Sequence, residues 1–174
     1  SRTTFVFLKL VKTLERFLHQ FVDKLYEFLH ELLRVDQDER TDILGENKLF
    51  LYEALGSILS YDQVSAQSRL SILDRLLKPI IFIIEEIVNK QLYNTDTPDN
   101  PKYCKMLADH IQIVSHLFKG LSSHKTAPEV KELFRNVLKV IANVSQILPR
   151  NRLIAEKIVL FFRIMMSVLS DEAA

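Results

Sequence analysis

Leu14, Phe17, Leu18, Phe21, Val22, Leu25, Phe28, Leu29, Leu32 and Leu33 recur at intervals of three and four residues, the spacing of one apolar face on an α-helix. A face of that kind has to be covered by other helices. The rest of the chain supplies them, because similar runs follow at Leu51 to Ile58, Leu70 to Val88, Val130 to Leu148 and Ile158 to Leu169. Punctuation is scarce: only three glycines and five prolines occur in 174 residues, too few for the many tight turns of a sandwich or barrel. The chain is therefore predicted to be all-α, with long helices joined by short polar turns.

The predicted helices cover about 4–34, 48–61, 66–93, 101–119, 128–148 and 152–169. Continuous from Phe5 to Leu33, the first would be a rod of about 30 residues and about 45 Å, long for a globular helix, so a break is expected near 14–18. Gly56 would let a neighbouring helix come close. Pro79, inside the helix that starts near Ala66, predicts a kink at Arg75 to Lys78. Asn100 followed by Pro101 is a helix start, Gly120 a stop, Thr126 and Glu129 stand at capping-box spacing, and Asn151 can cap the last helix. Helix pairs recurring every 40 to 50 residues have the period of HEAT or armadillo repeats. The expectation is one segment, 1–174, of a HEAT-repeat (α-α superhelix) solenoid with about six or seven antiparallel helices. The apolar cluster Phe5 to Leu8 and the almost wholly apolar Ile158 to Leu169 suit a piece cut from a longer stack, as does a start at Ser1 without an initiator Met.

Residues that carry chemistry are sparse. Glu27 and His30 have the Glu-x-x-His spacing of di-iron bundles, but no second pair accompanies them, so a solvated helix face is expected. His110 and His116 are six apart, which points them in different directions on a helix and rules out a shared metal. Cys104, the single cysteine, has no partner for a disulfide and is expected to be a buried, inert thiol in a reducing compartment. No phosphate loop or nucleophile elbow is present. No enzyme activity, cofactor or metal is expected. Glu85, Glu86 and Arg163 interrupt the most apolar stretches, so no membrane span is expected either.

The net charge of +1 hides an uneven distribution. Asp36, Asp38, Glu39, Asp42 and Glu46 crowd one turn, with only Arg40 against them, and Asp36, Asp38, Glu39 and Asp42 are candidates for contact with a protein partner. Lys119 to Arg163 carries nine Lys or Arg against Glu129, Glu132 and Glu156. Lys119, His124, Lys125, Arg150 and Arg152 fall at turns, where a line of cations along one edge of a solenoid can track a phosphate backbone. The same cations also suit helix ends, where they complement the dipole.

Phe7 to Leu14, Leu49 to Gly56, Leu77 to Pro79 and Ser115 to Thr126 are phrases that, in this order, resemble the tRNA exportins of the importin-β (karyopherin) family. Phe7-Leu8-Lys9-Leu10-Val11-Lys12-Thr13-Leu14 is similar to that family's Phe-x-Lys/Arg-Phe-Val-Lys-x-Leu helix, and Leu49-Phe50-Leu51-Tyr52-Glu53-Ala54-Leu55-Gly56 to its Leu-Phe-x-Tyr-Glu-x-x-Gly helix. Leu77-Lys78-Pro79 and the stretch Ser115 to Thr126 resemble further segments, in the same order. Gln20 stands where the family has proline, and Lys78 where it has a neutral polar residue. The resemblance implies a middle section of a long HEAT superhelix that carries mature tRNA out of the nucleus with Ran GTPase in its GTP form. It further implies contact with nuclear-pore repeat proteins, shuttling between nucleus and cytoplasm, and a monomer. The alternative is a helical-repeat scaffold that binds only protein partners.

Overall fold

A computed structural model describes residues 2–36, 47–93, 100–124, 127–147 and 151–170. Among them are seven α-helices and no strand: α1 (Arg2–Leu18), α2 (Val22–Asp36), α3 (Lys48–Ser60), α4 (Ala66–Asn89), α5 (Asn100–Leu121), α6 (Pro128–Ile147) and α7 (Arg152–Ser170). The all-α expectation holds. The interruption of the first rod falls at His19–Phe21, a single 3-10 turn, rather than between Leu14 and Leu18. There the Gln20 side-chain amide donates to the Phe17 carbonyl at 3.0 Å, satisfying an acceptor at the end of α1.

The chain divides into two compact units, Ser1–Ile72 with His116–Ala127, and Leu73–Ser115 with Pro128–Ala174. In the first, α3 is the central rod. Every described side chain from Leu51 to Ser60 is buried, Glu53 and Ser57 included, because α1, α2 and the end of α5 all lie in the same unit. Leu8 and Val11 of α1, Tyr26 and Leu29 of α2, and Leu117, Phe118 and Leu121 of α5 complete that core. Leu14, Phe17 and Phe21, counted in the long apolar stripe, remain 40–52% exposed.

Gly120 lies within α5 and does not stop it. Its function is packing. A Cβ on Gly120 would strike the Glu53 carbonyl oxygen and fall 2.9 Å from the Gly56 Cα, and a Cβ on Gly56 would strike the Leu117 carbonyl oxygen. The two glycines therefore sit at a backbone-to-backbone crossing of α3 and α5 that no larger residue permits. Gly56 accepts a close neighbour as its sequence suggests, and that neighbour is Gly120.

Arg69, near the start of α4, is 5% exposed. Its Nε donates to the Leu59 carbonyl at 2.6 Å, and one terminal nitrogen donates to the Tyr61 and Val64 carbonyls at 3.1 and 3.0 Å. A buried guanidinium thus caps the C-terminus of α3, where carbonyls lack intrahelical donors and the dipole favours a cation. Ser65 caps the next start, its Oγ accepting from the Ser68 amide at 3.1 Å.

In the second unit the apolar faces of α4 beyond Leu73, α5 up to Ser115, α6 and α7 supply the core, with Ile84, Leu107, Ile111, Phe134, Ile141, Ile154 and Phe161 almost wholly buried. Helix α4 runs unbroken through Pro79 and ends at Asn89, short of the expected Tyr93. Gln91 takes a left-handed φ of 52°, and the Leu92 and Gln91 amides return to the Ile87 and Val88 carbonyls at 3.1 Å each. That is a Schellman ending, with glutamine at the position glycine usually takes. Asn151 caps α7, its Oδ1 accepting from the Ile154 amide at 3.2 Å. The Thr126 cap lies outside the described residues.

Candidate functional site

Charged and polar side chains gather along one seam of the first unit. Lys12, Glu15 and His19 follow helical spacing on α1 and the turn after it, and Glu53, Ser57 and Tyr61 stand at four-residue spacing on α3 and just past its end. Opposite them come His116 and Lys119 of α5 and His124 of the turn that follows.

At the centre is Glu53, whose side chain is only 2% exposed. Lys12 Nζ donates to its Oε1 at 2.8 Å, Lys119 Nζ to its Oε2 at 3.0 Å, and His116 Nδ1 stands 3.3 Å from Oε2. Burial alone would raise the carboxyl's pKa. The bonds from His116, Lys12 and Lys119 overcome it and lower the pKa from 4.5 to about 2. One turn along, Glu15 accepts from Ser57 Oγ at 3.2 Å and pairs with His124 Nε2 at 2.6 Å. The Tyr61 ring lies between two histidine rings, 5.2 Å from that of His19 and 5.7 Å from that of His124. Two carboxylates thus tie α1, α3 and the end of α5 together.

This arrangement places the cations expected to meet RNA. Lys119 is half-exposed, with its ammonium turned to Glu53, and His124 is engaged by Glu15. Arg152, at the first position of α7 in the other unit, has a 92% exposed side chain and pairs with Glu156 at 2.9 Å. Lys125 and Arg150 lie outside the described residues, as do Asp38, Glu39 and Asp42 of the acidic turn, while Asp36 is the last residue of α2. Sequence reasoning had no role for Glu15, Glu53 or Arg69. A lone acid inside an otherwise apolar helix, one turn before Gly56, was the available signal for Glu53.

The remaining chemistry-bearing residues have local partners. The Cys104 thiol is buried, donates to Asn100 Oδ1 at 3.2 Å, and has its pKa pushed up by burial. His110 Nδ1 bonds the Met106 carbonyl at 2.7 Å, and the His30 ring packs on Tyr26 at 5.4 Å. Among the described residues no group of three or more His, Cys, Asp or Glu is placed to hold a metal, and no helix is long and apolar enough to cross a membrane.

The family model described as Exportin-T matches residues 1–172. The chain belongs to the Exportin-T family. Membership makes it part of a nuclear export receptor family, the one its Phe7 to Leu14 and Leu49 to Gly56 phrases resemble. Exportin-T of Dictyostelium discoideum is 24% identical over 182 residues, covering 99% of this chain. Exportin-T of Mus musculus and of Homo sapiens are each 20% identical over 132 residues, covering 74% of it. The chain spans 17% of the first relative's length and 14% of each of the others. No solved structure gives a significant match.

Proposed function

We propose that this chain is a segment of a nuclear export receptor that carries mature tRNA out of the nucleus in a complex with Ran GTPase in its GTP form, and that shuttles as a monomer through contacts with nuclear-pore repeat proteins. The observation that carries this reading is the Exportin-T family match over residues 1–172. An all-helical chain suits it, because RNA recognised by shape needs an extended surface with cations at chosen points rather than base-reading pockets.

The geometry weighs the cations differently. Lys119 pairs with Glu53 and His124 with Glu15, so both side chains are already engaged inside the fold. The reading puts the phosphate-facing role first on Lys125, Arg150 and Arg152. Asp36, Asp38, Glu39 and Asp42 remain the proposed contact for a basic protein partner. The test is filter binding of tRNA to the full-length receptor with Ran-GTP, comparing wild type with Lys125→Glu, Arg150→Glu and Arg152→Glu together. Weaker binding, with a dependence on log salt shallower by about two to three, supports the assignment. Unchanged affinity removes these residues from the interface, and no tRNA binding by the wild-type receptor removes the function.

A further inference from the structure

Within the second unit an open groove runs between α4 and α6. One length, about 450 Å³, is walled by Leu77, Ile81 and Phe82 of α4 and by Leu133, Asn136 and Val137 of α6. A second, about 230 Å³, is walled by Val88 and Asn89 on one side and Lys139 and Asn143 on the other. Glu85 and Val140 line both lengths and mark where they meet.

Three features of the groove are open to a ligand. Phe82 presents an aromatic side chain that is 64% exposed. Asn89, Asn136 and Asn143 are exposed amides with no hydrogen bond to another described residue, and asparagine is a poor helix former. Glu85 and Lys139 are unpaired among the described residues, although both line the shorter length. Phe82, Glu85, Asn136 and Asn143 each have a use if a ligand occupies the groove.

A carboxamide offers both donors and an acceptor, and so matches the free N–H and C=O groups of a peptide in extended conformation. An α-helical ligand satisfies those groups internally and would leave the amides idle. Asn136 and Asn143 are seven residues apart, about 10.5 Å along the helix axis, close to the length of three extended residues at about 3.3 Å each. Alternate side chains of an extended strand point the same way, so one apolar side chain and a second group two residues on can face the groove together. Glu85 at the junction calls for a cation there, and arginine meets a carboxylate with two parallel bonds. A nucleic acid strand would bring phosphates to Glu85 and Asp74 with Lys139 as the one unpaired lysine among the lining residues.

We infer that the groove between α4 and α6 is a docking site for an extended peptide segment that carries a large apolar side chain and, two residues away, an arginine that pairs with Glu85. This goes beyond the export reading and does not rest on it. The probe is a fluorescein-labelled peptide, Thr-Phe-Thr-Arg-Thr-Leu-Thr, whose β-branched residues favour extension. Fluorescence anisotropy with the 174-residue chain is expected to give saturable binding at about 10–100 µM, the scale that one ion pair, a few amide bonds and one buried ring supply.

Glu85→Gln should weaken binding about tenfold, and exchanging the peptide's arginine for glutamine should cost the same with no further loss in combination. Asn136→Ala with Asn143→Ala should also cost about tenfold. Alanine raises helix propensity at those exposed sites, so an unlowered melting temperature separates lost binding from lost folding. Absence of saturable binding below about 1 mM overturns the proposal. So does binding indifferent to the Glu85 and asparagine variants, or a short mixed-sequence RNA that binds through these residues while the peptide does not.

Discussion

Replacing Glu53 by glutamine isolates the charge that holds the first unit's seam. The carboxyl titrates near 2 in the folded chain, against 4.5 for an ordinary glutamate, so its folded form is favoured by about 3 kcal/mol when ionised. The side chains of Lys12 and Lys119 are 41% and 52% exposed, and solvent screens their share. The expected loss in Glu53→Gln is therefore about 2 kcal/mol at neutral pH, read as the difference in urea unfolding followed by far-ultraviolet circular dichroism. The pH dependence fixes the cause. Because the folded pKa is the lower one, the stabilisation is fully present above 4.5 and is lost as pH falls towards about 2. The gap between wild type and variant should close over that interval. Equal stabilities at neutral pH, or a gap that persists unchanged to about pH 2, would refute the reasoning.

Gly56→Ala and Gly120→Ala should each cost about 3 kcal/mol, although alanine favours an exposed helix by about 1 kcal/mol, and a raised melting temperature in either would contradict the backbone crossing. Arg69→Met strips donors from the Leu59, Tyr61 and Val64 carbonyls and should lower the urea-unfolding free energy by about 3 kcal/mol, whereas a neutral result would mean that water reaches the end of α3. Gln91→Gly relieves a left-handed residue at the end of α4 and should stabilise by about 0.5–1 kcal/mol, seen as a melting temperature higher by about 1–4 °C.

What the sequence made legible was local. The three-and-four spacing of Val130, Phe134, Val137, Ile141 and Val144 names the buried face of α6, and all five are buried. Asn151 before the apolar run from Leu153 is a cap by position and by geometry. What stayed hidden depends on residues far apart in the chain. Gly120 near a helix end reads as a stop until Gly56, on another helix, is seen against it. Glu53 and Arg69 are charges in apolar surroundings, and no periodicity shows that Lys12, His116 and Lys119 meet the first or that three carbonyls meet the second. Leu14 and Phe17 fit the stripe of the first rod yet stay exposed, because α1 is buried through Leu8 and Val11 instead. The expected basic site rests on charge at turns, and charge alone does not reveal that Glu15 and Glu53 engage two of its members.

The proposed function makes the chain part of a receptor whose grip on tRNA is coupled to Ran. The affinity of the full-length protein for mature tRNA, measured with Ran-GTP and again with Ran-GDP, tests it most directly. The account predicts binding at least about tenfold tighter with the GTP form, and by thermodynamic reciprocity an equal gain in Ran-GTP affinity when tRNA is present. The same tRNA affinity with both nucleotides would contradict it.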